Sequence, residues 1–95
     1  MVVTNEQLAD VFEKMATLLE IKGDSVFKIR AYQRAARTIE NLSVSLENSV
    51  RDKQDLKEIP GIGKAINDKI YEYIETGRIS AYDKLVEDLP QGILA

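Results

Sequence analysis

The chain has 95 residues, 44% hydrophobic and 31% charged, with only two prolines, which describes one small globular domain rather than a disordered tract. It contains no cysteine and no histidine, so disulfides, thiolate or imidazole metal sites and His-dependent catalytic triads are excluded. Apolar runs stop at two or three residues, too short for a transmembrane span or a secretory signal, and a cytoplasmic location fits. The net charge of −3 argues against a strongly cationic nucleic-acid binder, yet the charge is uneven. Residues 1–25 carry two basic and five acidic groups, whereas residues 26–40 carry four basic and one acidic. A polyanion would be sought first on that second segment.

The predicted elements are helices throughout. Thr4 and Gln7 form a capping box ahead of Leu8, Val11, Phe12, Met15, Leu18 and Leu19, which recur at helical spacing. Gly23 ends that helix, and Asp24 or Ser25 caps the next, expected over about residues 26–42. At 100° per residue, Phe27, Ala31, Ala35, Ile39 and Leu42 share the side expected to face the core, widened by Ile29, Tyr32 and Ala36. Arg30, Arg34 and Arg37 form an i, i+4, i+7 stripe opposite, while Lys28 lies beside Tyr32 at the edge of the inward side. An arginine stripe is ordinarily a solvated face. The absence of interleaved carboxylates in an acidic protein turns the reading toward phosphate.

Residues 43–51 are less regular, with Leu46 and Val50 anchoring a turn of helix. A short helix is expected from Asp52 to Glu58 with Leu56 and Ile59 inward. After the Ile59-Pro60-Gly61-Ile62-Gly63-Lys64 turn, a helix runs to Thr76 and is closed by Gly77, its buried stripe being Ile66, Ile70, Tyr73 and Ile74. Ser80 and Asp83 are expected to cap a last helix with Tyr82, Leu85, Val86 and Leu89 inward, stopped by Pro90. The apolar ending Gly92-Ile93-Leu94-Ala95 reads as the edge of a domain, residues 1–95, excised from a longer chain. The fold class is therefore all-α, a compact bundle of four to five short helices.

The turn carries the most chemistry. Pro60-Gly61 forces a tight bend, and Gly63 lets backbone approach a ligand. The N–H groups near Gly61 to Lys64 stand at the positive end of the following helix, where a phosphate fits and Lys64 adds charge. Ile62 tucks between the flanking helices and sets their angle. The ordinary alternative for a Gly-x-Gly is a plain interhelical turn; the flanking amphipathic helices and Ile59, Ile62 and Ile66 strengthen the ligand-binding reading.

The stretch from Leu56 to Ile66 closely resembles the helix-hairpin-helix motif, a sequence-independent binder of DNA backbone. With residues 23–36 added, nearly the whole chain is similar to the amino-terminal domain of family X DNA polymerases, of the bacterial and archaeal branch more than the vertebrate beta type. The resemblance implies a domain acting in DNA repair that holds the 5′-phosphate side of a gap, a nick or a single-strand/double-strand junction. In beta-type enzymes this domain also removes a 5′-deoxyribose phosphate through a lysine Schiff base, and Lys69 stands at that lysine's position. Independently, Lys69 lies three residues after Ile66 beside the buried stripe, where partial burial with Lys28 and Lys64 nearby would favour a neutral, nucleophilic amine. The ordinary alternative is a surface lysine offsetting Asp68 and Glu72. Lys28 and Tyr32 match a phosphate-contacting lysine and its neighbouring tyrosine. The backbone carbonyls of Lys57, Ile59 and Ile62 match a monovalent-cation site. Three positions depart from the pattern: Phe27 replaces a histidine that stacks near the 5′ end, and Ala65 and Ala81 replace lysines.

DNA is thus the expected partner of a monomer without membrane contact, through Lys28, Arg30, Tyr32, Arg34, Gly61, Ile62, Gly63 and Lys64. No cofactor is expected beyond that monovalent cation. Nucleotidyl transfer needs convergent carboxylates holding divalent metals, and the acidic residues here show no such spacing, so polymerase chemistry is expected elsewhere in a longer parent. Three readings remain open: a positioning module, the same module with its own lyase activity, and a helical protein-interaction domain whose hairpin is purely structural.

Overall fold

The computed structural model describes residues 2–89, and among them every regular element is helical. Helix α1 spans Asn5–Lys22; α2, Val26–Glu40; α3, Leu46–Arg51; α4, Lys64–Thr76; and α5, Ser80–Glu87, with a single 3₁₀ turn at Leu56–Glu58 between α3 and α4. None of these helices is long and apolar enough to cross a membrane. Pro90 and the Gly92 to Ala95 ending lie outside the described residues.

Local chemistry sets the first boundaries. Thr4 Oγ1 accepts the Gln7 N–H at 3.1 Å, and the Gln7 side chain accepts the Thr4 N–H at 2.9 Å, closing the capping box. Gly23, at φ 79°, terminates α1 in the left-handed region, and Ser25 caps α2 by accepting the Phe27 N–H. This short connection folds α2 back along α1, so that Phe12 meets Tyr32 with ring centroids 6.0 Å apart. Leu8, Met15 and Leu19 from α1 join Ala35, Ala36 and Ile39 from α2 in the core, the two alanines letting the helices approach closely.

The core face of α2 is rotated from the expected one. Tyr32, Ala35, Ala36 and Ile39 are buried, Leu42 is half-buried, and Ala31 and Phe27 face solvent, Phe27 with 84% of its surface exposed. The stripe centres where Tyr32 meets Phe12, which turns Phe27 roughly 130° away on the helix circumference.

Leu46 and Val50 anchor α3 as expected, and Asn5 ties it to the start of α1 by donating to the Val44 carbonyl and accepting the Leu46 N–H. The buried Glu47 accepts the Val3 N–H at 2.9 Å and pairs with Arg51. The helix expected over Asp52–Glu58 is reduced to the 3₁₀ turn. Asp52 is instead the C-cap of α3, and Lys53, at φ 58°, reverses the chain while the Gln54 N–H bonds back to the Ser49 carbonyl. Residues 52–55 are thereby consumed as a turn. Leu56 is buried, Ile59 half-buried, and the Leu56 N–H is held by Asn67 of α4 at 3.1 Å.

Gly77, at φ 83°, ends α4 where expected; Ile66 and Ile70 are fully buried, and Tyr73 and Ile74 half-buried. The expected caps of α5 are corrected: Ile79 is the N-cap residue and makes no side-chain cap, while Ser80 is the first helical residue. Glu72 of α4 does the capping across the turn, accepting the Ser80 N–H at 3.0 Å and its hydroxyl at 2.6 Å; Asp83 pairs with Arg78. Leu85 is buried, with Tyr82, Val86 and Leu89 half-buried behind it.

Those Ser80 hydrogen bonds, hydroxyl first and backbone second, hold the Glu72 carboxyl below its ordinary value of 4.5. A depressed carboxyl contributes stability above its unfolded-state value and loses it as pH falls through the lower folded value. Glu72→Gln is expected to lower the melting temperature near pH 7 and to have no effect once pH is well below 4.5. An equal loss at both pH values would show that the ionised carboxylate does not close this joint.

Candidate functional site

The hairpin turn is built by two residues of opposite stiffness. The Ile62 N–H donates to the Ile59 carbonyl at 3.0 Å, Pro60 takes the second position, and Gly61, at φ 97°, takes the third. That is a type II turn, whose third position favours glycine. Gly61 also packs against α2: a Cβ there would collide with Thr38 Oγ1 and stand 3.6 Å from Arg34 Cγ. The hairpin is therefore seated on the arginine-bearing helix. Ile62 is only 3% exposed, so its side chain anchors the turn and its backbone alone faces outward.

Gly63 is the converse case, since a Cβ on it would meet nothing within 4 Å. It is the N-cap of α4 and supplies no side-chain cap, unlike Thr4, Ser25, Ser45 and Asp55 at the preceding elements. The first N–H groups of α4 consequently have no partner within the helix and stand at its positive end.

This uncapped end opens on a groove of about 680 Å³ between α2, the hairpin and α4. Among the described residues, five cationic side chains line it (Lys28, Arg34, Lys57, Lys64 and Lys69) together with Tyr32 and the 59–63 backbone, and no carboxylate does. Lys64 donates to Asp68 at 2.9 Å, an ion pair that raises the lysine and lowers the carboxyl from their ordinary values. Lys28 lies 3.8 Å from Asp24, and Lys57 4.0 Å from Asp55. Lys69 differs. It is half-buried, its Nζ stands 6.0 Å from the centroid of the Tyr32 ring, and no carboxylate lies within ion-pair distance among the described residues. Asp68 and Glu72, the carboxylates of the ordinary alternative, bond to Lys64 and Ser80, and the nearby Lys69 charge still contributes to lowering the Glu72 carboxyl.

The groove thus gathers Lys28, Tyr32, Arg34, Gly61, Ile62, Gly63, Lys64 and Lys69, which lie far apart in sequence. Arg30 and Arg37 are not part of it; they are exposed on the outer face of α2. The Lys57 side chain is an addition, since the sequence pointed only to its backbone carbonyl. Its signal was a cation two residues before the hairpin's first isoleucine. The carbonyls at 57, 59 and 62 are neutral oxygen donors, and Ile59 already spends one lone pair on the Ile62 N–H.

Residues 3–79 match the family of helix-hairpin-helix domains. The chain belongs to this family. It is similar to the DNA polymerase/3′-5′ exonuclease PolX of Bacillus subtilis, 32% identical over 84 residues that make up 88% of this chain and 14% of that protein. It is also similar to DNA polymerase lambda of Arabidopsis thaliana, 29% identical over 84 residues, 88% of this chain and 15% of the relative. This helix-hairpin-helix chain therefore spans about a seventh of the length of the curated relatives it matches. Both of these relatives are DNA polymerases.

Proposed function

We propose that this chain is the DNA-gripping domain of a family X DNA polymerase acting in repair. The observation that carries the reading is the groove: five cations and no carboxylate, at the open N-terminus of α4. A backbone phosphate entering it meets unpartnered N–H groups, the Lys64 ammonium and the Arg34 guanidinium, and none of these reads base identity. The 5′-phosphate side of a gap, nick or strand junction is the natural occupant, because a terminal phosphate brings additional negative charge to a site of concentrated positive charge. Phe27, exposed at the start of α2, offers an aromatic face for an unstacked base near that end. Nucleotide addition, with its divalent metals, belongs to the rest of a longer intracellular protein, in which this domain works as a monomer.

Within the same reading, Lys69 is the nucleophile of a 5′-deoxyribose-phosphate lyase. Its amine reaches the groove from a half-buried position with no carboxylate within ion-pair distance among the described residues, which leaves it open to a sugar aldehyde. The carbonyls of Lys57, Ile59 and Ile62 would hold a monovalent cation that stiffens the hairpin.

Binding to a gapped duplex, measured against salt concentration, tests the grip. Lys64→Ala and Arg34→Ala are each expected to reduce the slope of log affinity against log salt by about one, without changing sequence preference. Asp68→Asn releases Lys64 from its ion pair and removes a negative charge, so it is expected to tighten binding. Equal slopes for the wild type and both cation variants would overturn the proposed surface. No binding at low salt would leave a protein-interaction domain with a structural hairpin.

A further inference from the structure

We infer that the outer face of α2 holds a second stretch of DNA backbone, belonging to the arm of a broken or branched duplex that the groove does not hold. The inference rests on the DNA-binding reading above and adds a site with its own occupant. Arg30, Arg34 and Arg37 are exposed and, among the described residues, none lies within ion-pair distance of a carboxylate. Neighbouring cations behave differently: Lys28 holds Asp24, Lys64 holds Asp68 and Arg51 holds Glu47. The one carboxylate of α2, Glu40, stands at its C-terminal end. The three guanidiniums therefore keep their full charge for an external partner, and their planar forks suit phosphate oxygens. Along the helix they span about 10 Å, close to the axial span of four successive phosphates on one duplex strand.

Direction argues for a second arm rather than a longer contact with the first. The α2 residues that line the groove are Lys28, Ala31, Tyr32 and Arg34. At about 100° per residue, the centre of that face lies roughly 130° around the helix from Arg30 and Arg37. Arg34 alone borders both faces. Duplex DNA is stiff over about 150 base pairs, so one straight segment does not wrap that far around a single helix. A gap or junction supplies the break that lets two arms lie on two faces. Phe27 stands on the ridge between them, at the point where the arms would diverge.

The test compares the whole chain with its R30Q/R37Q variant on two DNAs: a gapped duplex with both arms, and a single-armed duplex carrying the same recessed 5′-phosphate. The salt slope on the gapped duplex is expected to fall by about two, one for each lost phosphate contact, with no change on the single-armed duplex. Equal reductions on both would place the two arginines on the same arm as the groove and overturn the inference. No reduction on either would make the stripe a solvated face, leaving the groove reading intact. If the wild type bound neither DNA, both readings would fall together. A melting curve for R30Q/R37Q matching the wild type ensures that lost binding is not lost folding.

Discussion

Alanine at Gly61 is expected to destabilise the fold by about 2–5 kcal/mol, whereas alanine at Gly63 should cost about 1 kcal/mol or less and act on DNA binding instead. The two glycines are two residues apart in one turn and do opposite jobs. Gly61 combines a φ of 97° with a wall: an added Cβ would run into Thr38 Oγ1 and lie 3.3 Å from Thr38 Cβ. The left-handed backbone costs an L-residue roughly 1–2 kcal/mol, and overpacking against α2 adds about 1–3 kcal/mol more. For a domain of this size the sum corresponds to a fall of about 10 °C or more in melting temperature. Thr38→Ala in the same chain should recover the collision part and leave the backbone part. Gly63 has an ordinary φ of −90° and open space where its Cβ would go. Its methyl would intrude on the groove mouth, the route by which a phosphate reaches the α4 N–H groups. Urea unfolding of both variants, with gapped-DNA binding alongside, separates the cases. A Gly61→Ala variant as stable as the wild type would show that the hairpin is not seated on α2.

Much of this architecture is legible in the residue order because its boundaries are local. Thr4 with Gln7, Ser25, Gly23 and Gly77 act on backbone groups within a few residues, and each does what its type and position imply. Where a boundary depends on another element, the sequence is silent. The N-terminus of α5 is closed by Glu72, eight residues away on α4, so the Ser80 hydroxyl that reads as a cap is instead a donor to a carboxylate. The inward face of α2 is set by which residue meets Phe12; periodicity locates an apolar stripe but not its centre, so Phe27 reads as core and lies in solvent. The candidate site follows the same rule. The turn chemistry of residues 59–64 is local and legible. The convergence of Lys28 and Arg34 on it depends on the Gly61–Thr38 contact, which no spacing reveals.

Borohydride trapping on DNA bearing an incised 5′-deoxyribose phosphate is expected to yield a covalent adduct with the wild type and none with Lys69→Ala. In the proposed lyase reaction the Lys69 amine adds to the C1′ aldehyde and, as water leaves, forms a C=N bond that borohydride reduces to a stable secondary amine. Left unreduced, the imine acidifies C2′; that proton passes to water, since no carboxylate lines the groove, and the C3′–O bond breaks to release the 5′-phosphorylated downstream strand. Water then cleaves the imine and restores the lysine. The geometry separates Lys69 from its rivals in the same groove. Lys64, Lys28 and Lys57 each have a carboxylate within 4.0 Å that engages the ammonium, while Lys69 has none at that distance among the described residues and stands by the Tyr32 ring. Lys64→Ala should therefore weaken binding yet still trap once the complex is saturated, whereas Lys69→Ala should bind and fail to trap. An adduct that survives in Lys69→Ala would move the nucleophile to another groove lysine. Binding by the wild type without any adduct would leave the groove a phosphate grip, with the chemistry of the parent protein lying wholly outside it.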